Sequence, residues 1–370
     1  MKKALIHLFL LFFLVVSSQE IEQKSSTHSN IQLSYFHGNI LPQKGVKQLI
    51  TGYPSGFFAS WNRHTFGDQL WEQYYNYPDV GVSFMYQDFK NTSLGKLYAL
   101  YGHYNFYLLK HELKNKLIFS LGTGLAYITN PYDKVTNNKN VSIGTHFNST
   151  SFIKLLYQRE RVFQNIGFQA GFSFIHASNA SLKAPNKGIN TWGMNIGLNY
   201  EFNSKPIAYN KKRDTTNYQG TYHFNIALLI GANESDFINT GIKPFAVLTF
   251  FADKRLNRKN GLQFGAELDF HYYLKDFIKF KYIFNGDVTR TSYPDWKRVG
   301  VFIGHELFFN KFSLTTQIGT YVYSPDILNE NIYERVIFKR YFKNSYFASI
   351  SVKMHLVNAE SLEFGIGYQF

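Results

Sequence analysis

The sequence predicts an all-β protein: an antiparallel transmembrane β-barrel of roughly 12–16 strands, preceded by a cleaved signal peptide. Apolar and polar residues alternate with a period of two along most of the 370 residues. The apolar positions are rich in Phe, Trp and Tyr, which make up 18% of the chain, and the alternate positions carry Gly, Asn, Gln and acidic residues. Because successive side chains leave opposite faces of a strand, this pattern fits strands between lipid and a polar lumen.

The C-terminal segment supports the membrane interpretation. It ends on an aromatic residue, and its alternate positions are Leu362, Phe364, Ile366, Tyr368 and Phe370. This ending resembles the last strand of Gram-negative outer-membrane proteins. A soluble β-sandwich would also alternate, but the aromatic face, the polar opposite face and this ending favour a barrel. Within lipid, only a closed barrel satisfies the backbone hydrogen bonds of strands.

The N-terminus predicts export. Two lysines precede the apolar run 5–16, and Ser17 and Ser18 follow it, as in a secretory signal peptide. We therefore expect residues 1–18 to be the signal peptide and residues 19–370 to form a single outer-membrane β-barrel domain. No later stretch approaches the roughly 20 apolar residues that a membrane-spanning helix needs.

Composition narrows the classes of partner. The chain has no Cys, so disulfides and an N-terminal lipid anchor on Cys are excluded, and its formal net charge is +14. Basic loops near a membrane attract phosphate-bearing head groups, although they can also serve only to keep loops soluble. We find no phosphate-binding Gly loop and no nucleic-acid module. The expected partner is lipopolysaccharide or phospholipid in a membrane, and the oligomeric state is not indicated.

Alternating runs recur along the whole chain, separated by turn-rich gaps. The clear ones are 97–109, 115–127, 147–157, 166–178, 192–202, 221–232, 241–252, 262–272, 297–308, 312–323 and 344–356. Weaker candidates are 31–38, 54–62 and 79–87. The polar, basic segment 205–220 reads as one long loop, and no linker divides the chain. Glu267, Asp269 and His271 share an inward face, which predicts a hydrogen-bond network in the lumen rather than a metal site.

One strand places a base and a hydroxyl on its apolar face. From Ile166 onward the even positions are apolar until the strand ends with His176 and Ser178. Two residues apart on a strand, these side chains leave the same face and lie close together. A Ser hydroxyl becomes a nucleophile when a base such as His takes its proton. Because this face should meet lipid, the pair predicts an enzyme that acts on a lipid.

A third side chain must hold the imidazole in the correct tautomer. After a loop, Asn190 opens the next strand with the same outward parity as Trp192. An adjacent strand would bring the Asn190 amide oxygen beside His176. On its own His-x-Ser is a weak signal, because most such histidines are structural and His146 or His223 would be equal candidates.

A more specific pattern surrounds the pair: His176-Ala177-Ser178-Asn179-Ala180, then Pro185-Asn186-Lys187-Gly188. It resembles the active-site region of the outer-membrane lipid A 3-O-deacylase family, and the last third of the chain resembles longer relatives described as acyloxyacyl hydrolases. The resemblance implies a β-barrel whose membrane-facing site hydrolyses the 3-position acyl ester of lipid A. It makes Ser178 the nucleophile and His176 the base. The implied oxyanion and positioning groups are Asn179, Ala180, Ser181 and Asn186.

The chain departs from that family at the orienting residue, which is a Glu in the family and Asn190 here. Replacing the acid of a Ser-His-Asp triad by Asn can lower turnover about 10⁴-fold. Outer-membrane phospholipase A resembles this arrangement more closely, with a His-x-Ser-Asn strand end and an Asn orienter at the same spacing. That enzyme is a calcium-dependent dimer. We expect no cofactor and no metal, and calcium only if the chain is phospholipase-like.

The sequence thus predicts a lipid acyl-ester hydrolase in the outer membrane of a Gram-negative bacterium. It would remove an ester-linked acyl chain from lipid A through a membrane-facing triad of Ser178, His176 and Asn190. The acyl chains would lie along Phe172, Phe174, Trp192 and Met194. Two alternatives remain open: phospholipase A activity, and a passive barrel or pore with a vestigial site. An open polar lumen would favour the pore.

Overall fold

The computed structural model describes residues 28–42, 45–111, 113–203, 208–211, 218, 220–286, 295–325, 328, 331–356 and 358–370. The predicted signal peptide, residues 1–18, lies outside these ranges. The described residues form sixteen β-strands, the short helices α1 (Leu70–Tyr74) and α2 (Tyr273–Phe284), and two 3-10 turns (Lys47–Leu49 and Lys343–Ser345). The strands are β1 Ser29–Ile40, β2 Ser55–Arg63, β3 Asp79–Asp88, β4 Lys96–Tyr107, β5 Asn115–Ile128, β6 Phe147–Phe163, β7 Ile166–Ser178, β8 Ile189–Glu201, β9 Tyr222–Asn233, β10 Lys243–Arg255, β11 Asn260–His271, β12 Arg298–Phe309, β13 Phe312–Tyr323, β14 Ile332–Tyr341, β15 Tyr346–His355 and β16 Asn358–Gln369.

These strands close into two barrels. Strands β1 to β8 form one antiparallel ring, closed where β1 pairs with β8. Strands β9 to β16 form a second ring, closed where β16 pairs with β9. We call them the N-terminal and the C-terminal barrel. The predicted class, an all-β antiparallel barrel protein, is confirmed, and the number of strands in the described part of the chain lies within the predicted range.

The expectation of one barrel over residues 19–370 does not hold. Alternation along a sequence reveals strands, but it carries no information on which strand closes the ring. The polar segment 205–220, interpreted as a loop inside one barrel, instead connects β8 of the first ring to β9 of the second. Within it, only residues 208–211, 218 and 220 are described.

Side chains fill the N-terminal barrel. Eight strands leave an interior just wide enough for side chains, and the inward positions here divide by polarity. At the end where β8 begins, the interior contains an apolar cluster. At the other end it contains a polar network, in which His64 lies 2.8 Å from an Asp79 oxygen and 3.0 Å from a Glu201 oxygen. Core members of the apolar cluster are Phe36, Phe58, Met85, Tyr101, Phe152 and Ile175.

Buried ion pairs and a cluster of aromatic side chains share the interior of the C-terminal barrel. The carboxylate of Glu267 lies 2.6 Å from an Arg335 nitrogen and 2.8 Å from Lys353 Nζ, and all three side chains are fully buried. Asp269 pairs with His271 at 2.6 Å, so the predicted inward network of Glu267, Asp269 and His271 is present. A void of about 20 Å³ beside Arg335 has room for about one water molecule. Ion pairs and aromatic rings thus occupy interior space that a pore would leave open.

Most strands match the predicted runs, and β1, β2 and β3 correspond to the three weaker candidates. Strand β14 was not predicted, because Glu334, Arg335 and Lys339 interrupt its apolar alternation. Helix α2 was not predicted either. Among the described residues, no helix is both long and apolar enough to cross a membrane.

The two barrels touch at both ends. At the end where β7 stops, the connection 179–188 meets the β9–β10 loop and the start of β16. At the opposite end, the Tyr75 and Phe309 rings lie 4.6 Å apart, and Asn310 Nδ2 donates to Gln69 Oε1 at 2.6 Å. The connection between β7 and β8 therefore lies against the C-terminal barrel.

Candidate active site

Strands β7 and β8 bring the predicted site residues together. Their antiparallel register sets His176 opposite Asn190 and Phe174 opposite Trp192. Directly opposite residues of such a pair have neighbouring side chains on one face. The His–Asn contact therefore follows from strand pairing alone, as the outward parity of Asn190 predicts.

The His176 imidazole bridges the other two side chains. Its Nδ1 lies 2.6 Å from Asn190 Oδ1, and its Nε2 lies 3.1 Å from the Ser178 Oγ. An amide oxygen only accepts hydrogen bonds, so Nδ1–H donates to Asn190 and Nε2 can accept from the Ser178 hydroxyl. This is the tautomer that a general base for the hydroxyl requires.

Gly188 leaves space for this pair. Its φ is +70°, and a Cβ built there would lie 3.2 Å from His176 Cε1 and 3.4 Å from Ser178 Cβ. Its N–H donates to the Ser142 carbonyl at 3.1 Å, which fixes the end of the loop. Only glycine adopts this backbone conformation without a steric cost. The last residue before β8 therefore packs directly on the imidazole without displacing it.

The residues after Ser178 turn back over its hydroxyl. Ala180 and Ser181 both have left-handed backbone, with φ of 49° and 61°. This turn places the Ala180 nitrogen 3.4 Å from the Ser178 Oγ. Among the predicted oxyanion groups, the backbone N–H of Ala180 is the donor with a contact to the hydroxyl.

Two asparagine side chains hold this turn. Asn186 Oδ1 accepts from the Asn179 N–H at 3.0 Å, and Asn179 Nδ2 donates to the Lys183 carbonyl at 2.8 Å. Asn179 is buried and Asn186 half-buried. Both predicted positioning residues thus make hydrogen bonds within the loop 179–188, and these bonds stabilise the turn beside the Ser178 hydroxyl.

The predicted acyl-contact residues form part of the outer wall. Their exposed fractions are 55% for Phe172, 37% for Phe174, 43% for Trp192 and 60% for Met194. Exposure falls towards the loop: His176 is half-buried, and Ser178 is only 4% exposed. The Ser178 hydroxyl therefore lies beneath the turn that follows β7. The His176 imidazole lies between this hydroxyl and the exposed apolar side chains of the outer wall.

A strip of hydroxyl side chains next to the pair was missed by the sequence analysis. In strand β6, Ser151 lies opposite His176 and Ser149 lies opposite Ser178. Ser151 Oγ donates to the Thr123 hydroxyl at 3.2 Å. Strand parity places these residues outward, but the register that brings them beside His176 is not readable from either strand alone.

Similar proteins were found among solved structures and family models. The crystal structure of the outer membrane enzyme PagL is 19% identical, with a TM-score of 0.31, over 45% of this chain and 97% of that one. A mutant of the Rh. blastica porin is 8% identical with a TM-score of 0.18, over 93% and 100% of the two chains. CdiB from Acinetobacter baumannii is 8% identical with a TM-score of 0.20, over 94% and 61%. No curated protein sequence matches the chain.

Two family models match, and their limits follow the two barrels. The model described as lipid A 3-O-deacylase (PagL) matches residues 55–199, from β2 into β8. The model described as acyloxyacyl hydrolase, C-terminal domain, matches residues 222–370, from β9 to the end of the chain. The first match contains the strand end, the loop and Asn190. The chain therefore belongs to the lipid A 3-O-deacylase (acyloxyacyl hydrolase) family of hydrolases, β-barrel proteins of the Gram-negative outer membrane.

Proposed function

We propose that this protein removes an ester-linked acyl chain from lipid A in the outer leaflet, with Ser178 as nucleophile, His176 as general base and Asn190 as the residue that orients the base. The observation that carries the proposal is the hydrogen-bonded chain from Asn190 through His176 to Ser178 at the edge of a lipid-facing wall. Membership of a lipid A deacylase family supports the substrate class.

The reaction is acyl transfer in two steps. His176 Nε2 takes the Ser178 proton as Oγ attacks the ester carbonyl, and the resulting imidazolium then protonates the leaving alcohol. Water, activated by the same imidazole, cleaves the acyl-enzyme and frees the fatty acid. The negative charge on the carbonyl oxygen develops beside the Ala180 N–H, and a donor aimed at that oxygen lowers the barrier.

The environment of the site fits a substrate with apolar chains and a polar head. Acyl chains would lie along Phe172, Phe174, Trp192 and Met194, whose side chains are exposed on the outer wall. The hydroxyls of Thr123 and Ser151 lie at the level of His176, where the ester and the sugar would sit. Binding then orients the ester at the boundary between the apolar and the polar surface, within reach of Ser178.

Phospholipase A activity is the second candidate. The observation that favours it is Asn190, because an Asn orienter resembles outer-membrane phospholipase A rather than the Glu of the deacylases. A calcium requirement would accompany this function, whereas the proposed lipid A deacylation needs no metal.

Mass spectrometry of lipid A and phospholipids after incubation with the purified protein tests the proposal. We expect loss of one acyl chain from lipid A, unchanged by EDTA and absent with Ser178→Ala, because that variant lacks the nucleophile. Fatty-acid release from phospholipid alone, sensitive to EDTA, would assign the chain as a phospholipase. No change that depends on Ser178 in either lipid pool would contradict both functions.

A further inference from the structure

The loop over the Ser178 hydroxyl is bonded to the C-terminal barrel at three points. The Glu234 N–H donates to the Ser181 carbonyl at 2.9 Å, and the Ala184 N–H donates to Glu234 Oε2 at 2.9 Å. The Ser181 hydroxyl donates to the Ala359 carbonyl at 2.5 Å. Two of these bonds involve Ser181, which directly follows Ala180, the residue whose N–H faces the reacting hydroxyl.

Glu234 is itself held firmly. It follows β9 in the C-terminal barrel and is only 6% exposed. Its second carboxylate oxygen, Oε1, accepts from the Gly241 N–H at 2.8 Å. Hydrogen bonds to a carboxylate are shorter and stronger than those between neutral groups. The carboxylate therefore links a loop of its own barrel to the loop 179–188 of the other.

The second attachment point, Ala359, is equally fixed. The adjacent Glu360 is buried, and its carboxylate lies 2.6 Å from an Arg298 nitrogen and 3.1 Å from the Tyr273 hydroxyl. Its backbone carbonyl accepts from Asn233 Nδ2 at 3.0 Å. The support under Ser181 is thus anchored in the buried ion pairs of the C-terminal barrel.

We infer that Glu234 is a positioning residue for acyl-ester hydrolysis at Ser178, and that the C-terminal barrel completes the active site of the N-terminal one; this inference rests on the proposed function. The left-handed turn at Ala180 and Ser181 is a conformation that residues other than glycine rarely adopt. Such a turn persists when its surroundings hold it. The hydrogen bonds of Glu234 to Ser181 and Ala184 help to stabilise this turn, and so keep the Ala180 N–H directed at the oxyanion.

The rival explanation is that these bonds only join the barrels. The chain offers a matched control, because Asn310 of the C-terminal barrel donates to Gln69 of the N-terminal barrel at the opposite end. Asn310→Ala removes a contact between the barrels without touching the loop. Because Asn310 has left-handed backbone, with φ of 59°, any strain that Ala adds there appears in the unfolding midpoint. If the bonds only join the barrels, Glu234→Ala and Asn310→Ala should change the reaction rate at Ser178 equally. If Glu234 positions the loop, Glu234→Ala should lower that rate more than Asn310→Ala does.

The experiment compares full-length wild type, Glu234→Ala, Glu234→Gln, Asn310→Ala and Ser178→Ala in detergent micelles. A fluorophosphonate reports the site, because its reaction with Ser178 places a tetrahedral phosphoryl oxygen in the oxyanion position. Labelling rate, kcat and KM on a lipid A substrate, and the thermal unfolding midpoint are measured for each. The unfolding midpoint separates loss of the site geometry from loss of the fold.

We expect Glu234→Ala to lower the labelling rate and kcat roughly tenfold, less than the 10²–10³ of losing an oxyanion donor outright, with little change in KM. Glu234→Gln retains an amide oxygen that accepts from Ala184 and should recover part of the rate. Asn310→Ala should label like wild type. The inference would be overturned if Glu234→Ala were labelled at the wild-type rate, or if Glu234→Ala and Asn310→Ala lost equal fractions of the labelling rate. If wild type and Ser178→Ala were labelled at the same rate, the proposed function would be overturned as well.

Discussion

Asn190 orients the His176 ring through a neutral hydrogen-bond acceptor, where a carboxylate would carry a negative charge. The amide oxygen accepts from Nδ1–H at 2.6 Å, so it fixes the tautomer and the ring plane. A carboxylate at the same place would also stabilise the imidazolium that forms during attack. The sequence alone predicted this residue from strand parity, and the register of β7 and β8 brings it to His176.

Substitution of Asn190 tests how much of the rate depends on orientation. Asn190→Ala removes the acceptor for Nδ1–H, and we expect kcat on lipid A to fall by about 10², within the range of general-base contributions, with KM nearly unchanged. Asn190→Asp keeps an acceptor of similar length and adds a charge. It should retain at least wild-type kcat. An unchanged kcat in Asn190→Ala would show that this contact does not serve the reaction.

At the scale of strands, the local features were predictable and the long-range ones were not. Period-two alternation identified β7, including which of its residues face outward, because parity is a property of one strand. The hydroxyls of Ser149 and Ser151 escaped notice, because their position depends on the register between β6 and β7. Likewise, no pattern within the loop 179–188 indicates its bonds to Glu234 and Ala359, which lie far along the chain.

The ion pairs inside the C-terminal barrel make a stability prediction for these strands. Glu267→Gln leaves Arg335 and Lys353 without their shared carboxylate in a fully buried setting. Breaking a buried pair costs about 3–5 kcal/mol when the remaining charge has no partner. Arg335 still pairs with Glu363 and Lys353 with Asp269, so we expect a cost near the lower end of that range. We expect a clear fall in the unfolding midpoint measured by heat-dependent gel mobility or denaturant titration.

The control for Glu267→Gln is Asp276→Asn, which removes an acid that pairs with Lys243 at 3.2 Å in an exposed position. Exposed pairs contribute about 0–1 kcal/mol. The midpoint of this variant should stay near that of wild type. Similar midpoints for the two variants would mean that the buried pairs contribute no more to stability than a surface pair does.

At the scale of the whole molecule, the sixteen strands of the described residues lie within the predicted range of roughly 12–16, but the architecture differs. Two rings of eight strands have narrow interiors, whereas one large ring would have a wide one. We expect purified protein to give no stepwise conductance in planar lipid bilayers under conditions where a porin does. The physical reason is that buried side chains occupy both interiors, as Tyr101 and Phe152 do in one barrel and Arg335 and Lys353 do in the other. Discrete conductance steps would contradict this prediction.

The filled interiors also bear on the cell that makes this protein. Because buried side chains lie across both rings, we expect the outer membrane to hold many copies of the protein without gaining a water-filled path through them. The proposed deacylation of lipid A would then alter the chemistry of the leaflet without opening a path for solutes. A cell could raise or lower the amount of the protein as conditions change, and its permeability barrier would stay intact throughout.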